Sequence, residues 1–175
     1  VVDLEQMKAF GKPFWLAGAY GSRQRFADAL AAGAHGVQVG TAFAFSEESG
    51  LAPELRAKFL ASLLEGKADV YTDPVASPTG FPFKVAVLDG SLSAEAAYEE
   101  RPRLCDLGYL RRAYLRDDGR LDYRCPSEPV EDYLKKGGKI EDTVGRKCLC
   151  NALVTNIGMG QRRPDGYEEL PMLTS

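Results

Sequence analysis

Two short stretches of the chain combine residue types suited to holding an anion. Phe14-Trp15-Leu16-Ala17 runs into Gly18-Ala19-Tyr20-Gly21, and Val37-Gln38-Val39 runs into Gly40-Thr41. If both apolar runs are parallel strands, each glycine turn lays backbone N–H groups along the carboxyl edge of the sheet. A helix opening at Ser22 adds its positive end there. An isolated glycine turn usually does no more than permit a tight bend, but two paired turns point to a bound oxyanion. In (β/α)₈ barrels the shared phosphate site is built at this position, from the turns after strands seven and eight.

Other residue types compete for attention. Cys105, Cys125, Cys148 and Cys150 all fall in the last half of the chain. Four thiolates suit tetrahedral zinc or an iron–sulfur cluster, yet the spacing is not that of paired Cys-x-x-Cys knuckles, so ordinary half-buried cysteines are the preferred reading and no metal is assigned. His35, the sole histidine, precedes the second strand and reads as a surface turn residue rather than a base. Arg111-Arg112 and Arg162-Arg163 read as solvated charge, and Trp15 as a core residue. Glu47 and Glu48 would be repelled by a phosphate and are expected to face solvent or cap a helix.

The elements that must position the glycine turns follow from periodicity. Phe26, Ala29, Leu30 and Ala32 recur at helical spacing after Ser22, and Gly33 supplies a left-handed stop, giving a strand–helix–strand unit. A further helix is expected from Pro53 to about Gly66, with Leu55, Phe59 and Leu63 on one face. Thr72-Asp73-Pro74 and Ser77-Pro78-Thr79-Gly80-Phe81-Pro82 then interrupt regular structure, which places a boundary near Lys67. Beyond it a strand over 83–88, a short helix over 93–101, a hairpin around Asp117-Asp118-Gly119, and helices over 127–136 and 148–156 are expected.

Composition bounds the rest. The 175 residues are 45% hydrophobic and 27% charged, as in ordinary folded domains, and too few for a whole (β/α)₈ barrel of roughly 250 residues. A net charge of −3 offers no basic field to nucleic acid or anionic lipid, and no apolar run is long enough to span a bilayer, so neither is an expected partner. The expected compartment is cytoplasmic.

The strings Trp15-Leu16-Ala17-Gly18-Ala19-Tyr20-Gly21, Ala29 through Phe43 (including Gly36-Val37-Gln38-Val39-Gly40-Thr41), and Ser46-Glu47-Glu48-Ser49 closely resemble the C-terminal half of nitronate monooxygenases. These are FMN-dependent barrel enzymes, formerly called 2-nitropropane dioxygenases. Pro78-Thr79-Gly80-Phe81-Pro82-Phe83-Lys84 resembles a later segment of the same family and would set Lys84 beside the flavin end of the barrel. The resemblance implies that Gly18 and Ala19 lie on the FMN phosphate, with Gln38, Val39, Gly40 and Thr41 as the facing wall. The family commonly carries glycine where this chain has Ala19. Either the phosphate approach is looser or Ala19 keeps a negative φ, with Gly21 compensating.

The expected fold is therefore α/β: the C-terminal part of a (β/α)₈ barrel over residues 1–67, followed by an α+β extension over 68–175. The implied activity is oxidation of an alkyl nitronate with O₂ to a carbonyl compound and nitrite. The family's histidine base has no counterpart here, so the catalytic residues are unknown and the chain is expected to be a fragment that lacks the N-terminal barrel half and is inactive alone. The Gly36-Val37-Gln38-Val39-Gly40-Thr41 string is also similar to that of a related flavin enoyl reductase using NAD(P)H, which shares the phosphate site and stays open as an alternative. So does a non-catalytic phosphate-binding or metal-stapled module.

Overall fold

A computed structural model describes residues 2–174. The chain forms two compact units, one ending at Ser49 and the other beginning at Gly50. The compositional change near Lys67 thus falls inside the second unit, because the helix before it belongs there.

In the first unit, α1 (Leu4–Ala9) is capped by Asp3, whose carboxylate accepts from the Glu5 and Gln6 N–H groups at 3.0 and 3.2 Å. β1 (Trp15–Ala17) and β2 (Gly36–Gln38) pair in parallel, with Leu16 opposite Val37. Between them runs α2 (Arg23–Ala31), with Ser22 as N-cap accepting from the Arg25 N–H at 3.3 Å and Gly33 left-handed beyond its end. A short α3 (Thr41–Ala44) follows β2. Phe14, Leu16, Ala29 and Ala34 are buried together, with Leu4, Met7, Tyr20 and Val37 packed around them. Trp15 is not core, contrary to expectation. Strand alternation turns Leu16 inward and Trp15 outward, leaving the indole 59% exposed. Phe26 and Leu30 on α2 are also largely exposed, so Ala29 is the one buried residue of that helix.

The second unit opens with α4 (Pro53–Leu64), whose sole buried side chain is Phe59; Leu63 and Leu64 face outward despite their helical spacing. The Ala52 N–H donates to the Asn156 carbonyl at 2.7 Å and ties the start of α4 to the end of α7 (Leu149–Asn156). β3 (Val70–Asp73) and β4 (Phe83–Ala86) are antiparallel, and the proline-rich stretch is the loop between them. β5 (Arg112–Leu115) and β6 (Leu121–Arg124) form the expected hairpin, with Gly119 left-handed in its turn. α5 (Glu95–Glu100), α6 (Val130–Lys135) and a 3₁₀ turn (Ile140–Thr143) complete the set.

Ala76, Val85, Leu92, Leu149, Ala152 and Met172 form the core of this unit. Its C-terminal tail is built in as if it were a strand. The Ala86 and Leu92 N–H groups donate to the Leu173 and Pro171 carbonyls, each at 2.9 Å, Val85 pairs with Thr174, and Met172 and Leu173 are wholly buried. The architecture is mixed α/β with three two-stranded sheets, and no closed barrel occurs among the described residues. No helix among them is long and apolar enough to cross a membrane.

Candidate functional site

Parallel pairing puts the carboxyl ends of β1 and β2 at one edge, so the Gly18–Gly21 and Gly40–Thr41 turns are neighbours. A methyl group on Gly21 would stand 3.3 Å from Val39 Cγ1, which measures how closely the two turns approach. Gly18, Ala19, Gln38 and Gly40 are exposed, while Val39 and Thr41 are half-buried. The residues singled out from sequence are thus gathered on one accessible rim, with the positive end of α2 following directly at Ser22.

Backbone conformation decides between the alternatives for Ala19. Its φ is +55°, beside Gly18 at +84°, and it is the one described non-glycine residue in the left-handed region. Gly21 does not take over that role. An alanine there holds a conformation that costs an L-residue roughly 1–2 kcal/mol, so the bend after β1 is kept at some expense. Gly40 differs: its φ of −106° and ψ of −60° are open to any residue. Its carbonyl accepts from the Phe43 and Ala44 N–H groups, both at 3.0 Å. What glycine contributes at 40 is the absence of a side chain on the exposed rim.

His35 lies at the other edge, immediately before β2. It is exposed, its N–H donates to the Phe14 carbonyl at 2.9 Å, and its ring tilts against Trp15 at 6.2 Å. Glu47 and Glu48 are exposed as well. Lys84 sits in β4 opposite Thr72, in the second unit.

The second unit holds polar groups that sequence reasoning missed. Arg101 and Glu169 form a buried ion pair in which the arginine Nε and Nη2 both bond Glu169 Oε1, Nε at 2.7 Å. Arg163 reaches Glu169 Oε2 at 3.4 Å and Asp106 Oδ2 at 2.9 Å, and Asn151 Nδ2 donates to Asp106 Oδ1 at 3.0 Å. Arg163 is therefore part of an internal network, not solvated charge. Burial pushes the Asp106 carboxyl up, but hydrogen bonds from Asn151 and Arg163 outweigh it and hold it below its ordinary value. No spacing rule links residues this far apart in the chain.

All four cysteines are free, Cys125 and Cys148 buried and Cys105 and Cys150 half-buried. The Cys148 thiol hydrogen-bonds Cys150, which together with burial pushes Cys148 well up. The same bond, with N–H donation from Leu110 and Tyr109, brings Cys150 down to about 7 against the pull of burial. A concavity of about 840 Å³ lies between the β5–β6 hairpin and α6, lined by Tyr114, Arg116, Asp122, Arg124 and Lys136. None of the glycine-turn residues lines it, and its charged, open walls mark a solvated cleft.

Comparison with known proteins returned nothing that matches the chain significantly: no family model, no curated protein and no solved structure.

Proposed function

We propose that this chain carries the phosphate-holding turns of an FMN-dependent (β/α)₈ oxidoreductase resembling nitronate monooxygenases. The observation that carries the reading is the pairing of β1 with β2, which brings the Gly18-Ala19 and Gln38–Thr41 turns side by side, the same residues on which the sequence resemblance rests. Backbone at both turns and the α2 N-terminus favour a dianion on that rim, where Gly40 is exposed and carries no side chain. In this reading Thr41, at the start of α3, would contribute its hydroxyl to a phosphate oxygen.

Bound FMN would supply the redox chemistry, accepting electrons from an alkyl nitronate and passing them to O₂ while carbonyl compound and nitrite leave. In this reading the rim residues bind and orient the cofactor, and no base is assigned among them. His35 lies at the opposite edge from the glycine turns. Exposed Phe10, Trp15, Phe26, Leu30 and Phe43 in the first unit also favour further barrel strands and helices packing on it, since parallel sheets are covered on both faces.

The test is activity after the chain is joined to the N-terminal half of such a barrel and loaded with FMN. Nitrite release from an alkyl nitronate with O₂ consumption is expected. Reduction of an enone by NAD(P)H without nitronate turnover would overturn this reading in favour of the enoyl reductase.

A further inference from the structure

A second, smaller pocket of about 240 Å³ in the second unit is built from stretches far apart in the chain and lined by charges of both signs. Buried Pro78, Pro126 and Tyr133 contribute its apolar lining, from the β3–β4 loop, the end of the hairpin and α6. Arg112 of β5, Asp142 of the 3₁₀ turn and Arg146 contribute the charges. Sites for drug-sized ligands enclose roughly 300–1,000 Å³, so this one suits something smaller.

The guanidinium of Arg146 is fixed before any ligand arrives. Its Nη1 donates to the Val75 and Ser77 carbonyls at 2.5 and 2.6 Å, and its Nε to the Asp142 carbonyl at 3.3 Å. Neutral acceptors orient the group without cancelling its charge, and Nη2 keeps its N–H donors unused among the described residues. The exposed Arg112 side chain has no hydrogen bond or ion pair among those residues. Asp142 is held separately. Tyr133 Oη donates to its Oδ2 at 3.1 Å, while Oδ1 has no partner and no described cation pairs with the carboxylate.

Opposite charges that line one concavity without pairing suit a ligand that carries both. A bare anion would be repelled by Asp142, and a bare cation by two arginines. Guanidinium takes a carboxylate through parallel N–H···O bonds, which leaves the unpartnered Asp142 oxygen for an ammonium group.

We propose that this pocket binds a small zwitterion of the α-amino-acid class, its carboxylate on Arg146 and Arg112 and its ammonium on Asp142. Binding is noncovalent. The inference is independent of the flavin reading, since every residue named lies in the second unit.

The experiment is calorimetric titration of the whole chain with glycine, L-alanine and L-serine, and with propionate, ethylamine and inorganic phosphate as controls. Propionate is alanine without its ammonium, and ethylamine is alanine without its carboxylate. Saturable binding of at least one amino acid at millimolar concentration is expected, with amide shifts at Gly80 and Tyr133 in NMR spectra. Propionate and ethylamine should each bind more than roughly tenfold more weakly than alanine. Arg112→Ala removes a side chain that bonds nothing, and Asp142→Asn keeps an acceptor for Tyr133 Oη while losing the charge. Each should weaken amino-acid binding more than roughly tenfold with Tm unchanged. Absence of binding by all three amino acids, affinity unchanged in both variants, or shifts confined to other residues would overturn the proposal. Propionate or phosphate binding as tightly as alanine would overturn the zwitterion assignment in favour of a simple anion site.

Discussion

Glu169→Gln is expected to be among the most damaging conservative changes in the molecule. The Arg101 and Glu169 side chains are 3% and 0% exposed, so neither charge has water to fall back on. Glutamine keeps the shape of glutamate but removes the charge, leaving the Arg101 guanidinium buried without a counter-ion and Arg163 with Asp106 alone. Breaking a buried pair by removing one partner costs about 3–5 kcal/mol. That is a large share of the roughly 5–15 kcal/mol that holds a typical domain folded. The assay is urea unfolding followed by circular dichroism, with the midpoint compared at constant slope. Arg101→Met should cost a similar amount, and combining it with Glu169→Leu should cost clearly less than the two single changes added, because no buried charge of the pair then lacks its partner. A Glu169→Gln variant within about 1 kcal/mol of the parent, or strictly additive single and double variants, would refute the view that this pair holds the second unit together.

Ala19→Gly should stabilise the first unit by up to about 1 kcal/mol, the relief of a left-handed alanine less the extra freedom glycine gives the unfolded chain; a lowered unfolding midpoint would contradict it. Two other glycines make a contrast. A Cβ on Gly138 would meet the ring of Tyr133, a buried residue, whereas a Cβ on Gly36 meets the exposed Trp15 ring at 2.9 Å. Gly138→Ala should therefore cost about 1–3 kcal/mol or more, and Gly36→Ala clearly less, measured in the same denaturant series. Stability should also depend on Asp106 at acid pH. Its folded-state pKa is depressed, so its contribution is complete above the unfolded value of about 3.9 and is lost as pH falls through the lower folded value. Asp106→Asn should flatten the stability profile in that window, and an unchanged profile would count against the assignment.

Local signals were enough for the elements that local chemistry fixes. Ser22 and Gly33 bracket α2, Asp117-Asp118-Gly119 turns the β5–β6 hairpin, and the glycine turns end β1 and β2. Elements whose partners are distant along the chain carry no such signal. β3 was hidden by the proline that follows it and exists because β4 pairs with it, and the tail at 171–174 carries no strand pattern yet completes the core through Met172 and Leu173. Helical spacing promised an apolar face for α4, but which leucines face inward depends on what packs there, and only Phe59 is buried. At the candidate site, residue identity located the rim; the left-handed φ of Ala19 and the helical φ and ψ of Gly40 were not legible, because alanine and glycine each permit more than one conformation. The Arg101–Glu169–Arg163–Asp106 network joins residues with no periodic relation, so no pattern along the chain could mark it.

The central claim is that the rim formed by Gly18, Ala19, Gln38, Val39, Gly40 and Thr41 holds the phosphate of FMN. The most direct measurement is a fluorescence titration of the whole chain with FMN and with riboflavin, which differ by that phosphate alone, repeated with Gly40→Val. The account predicts tighter binding of FMN than of riboflavin, and a loss of more than about 1.4 kcal/mol, a tenfold change, for FMN but not riboflavin in the variant. Equal affinity for the two flavins, or FMN binding unchanged by Gly40→Val, would contradict it.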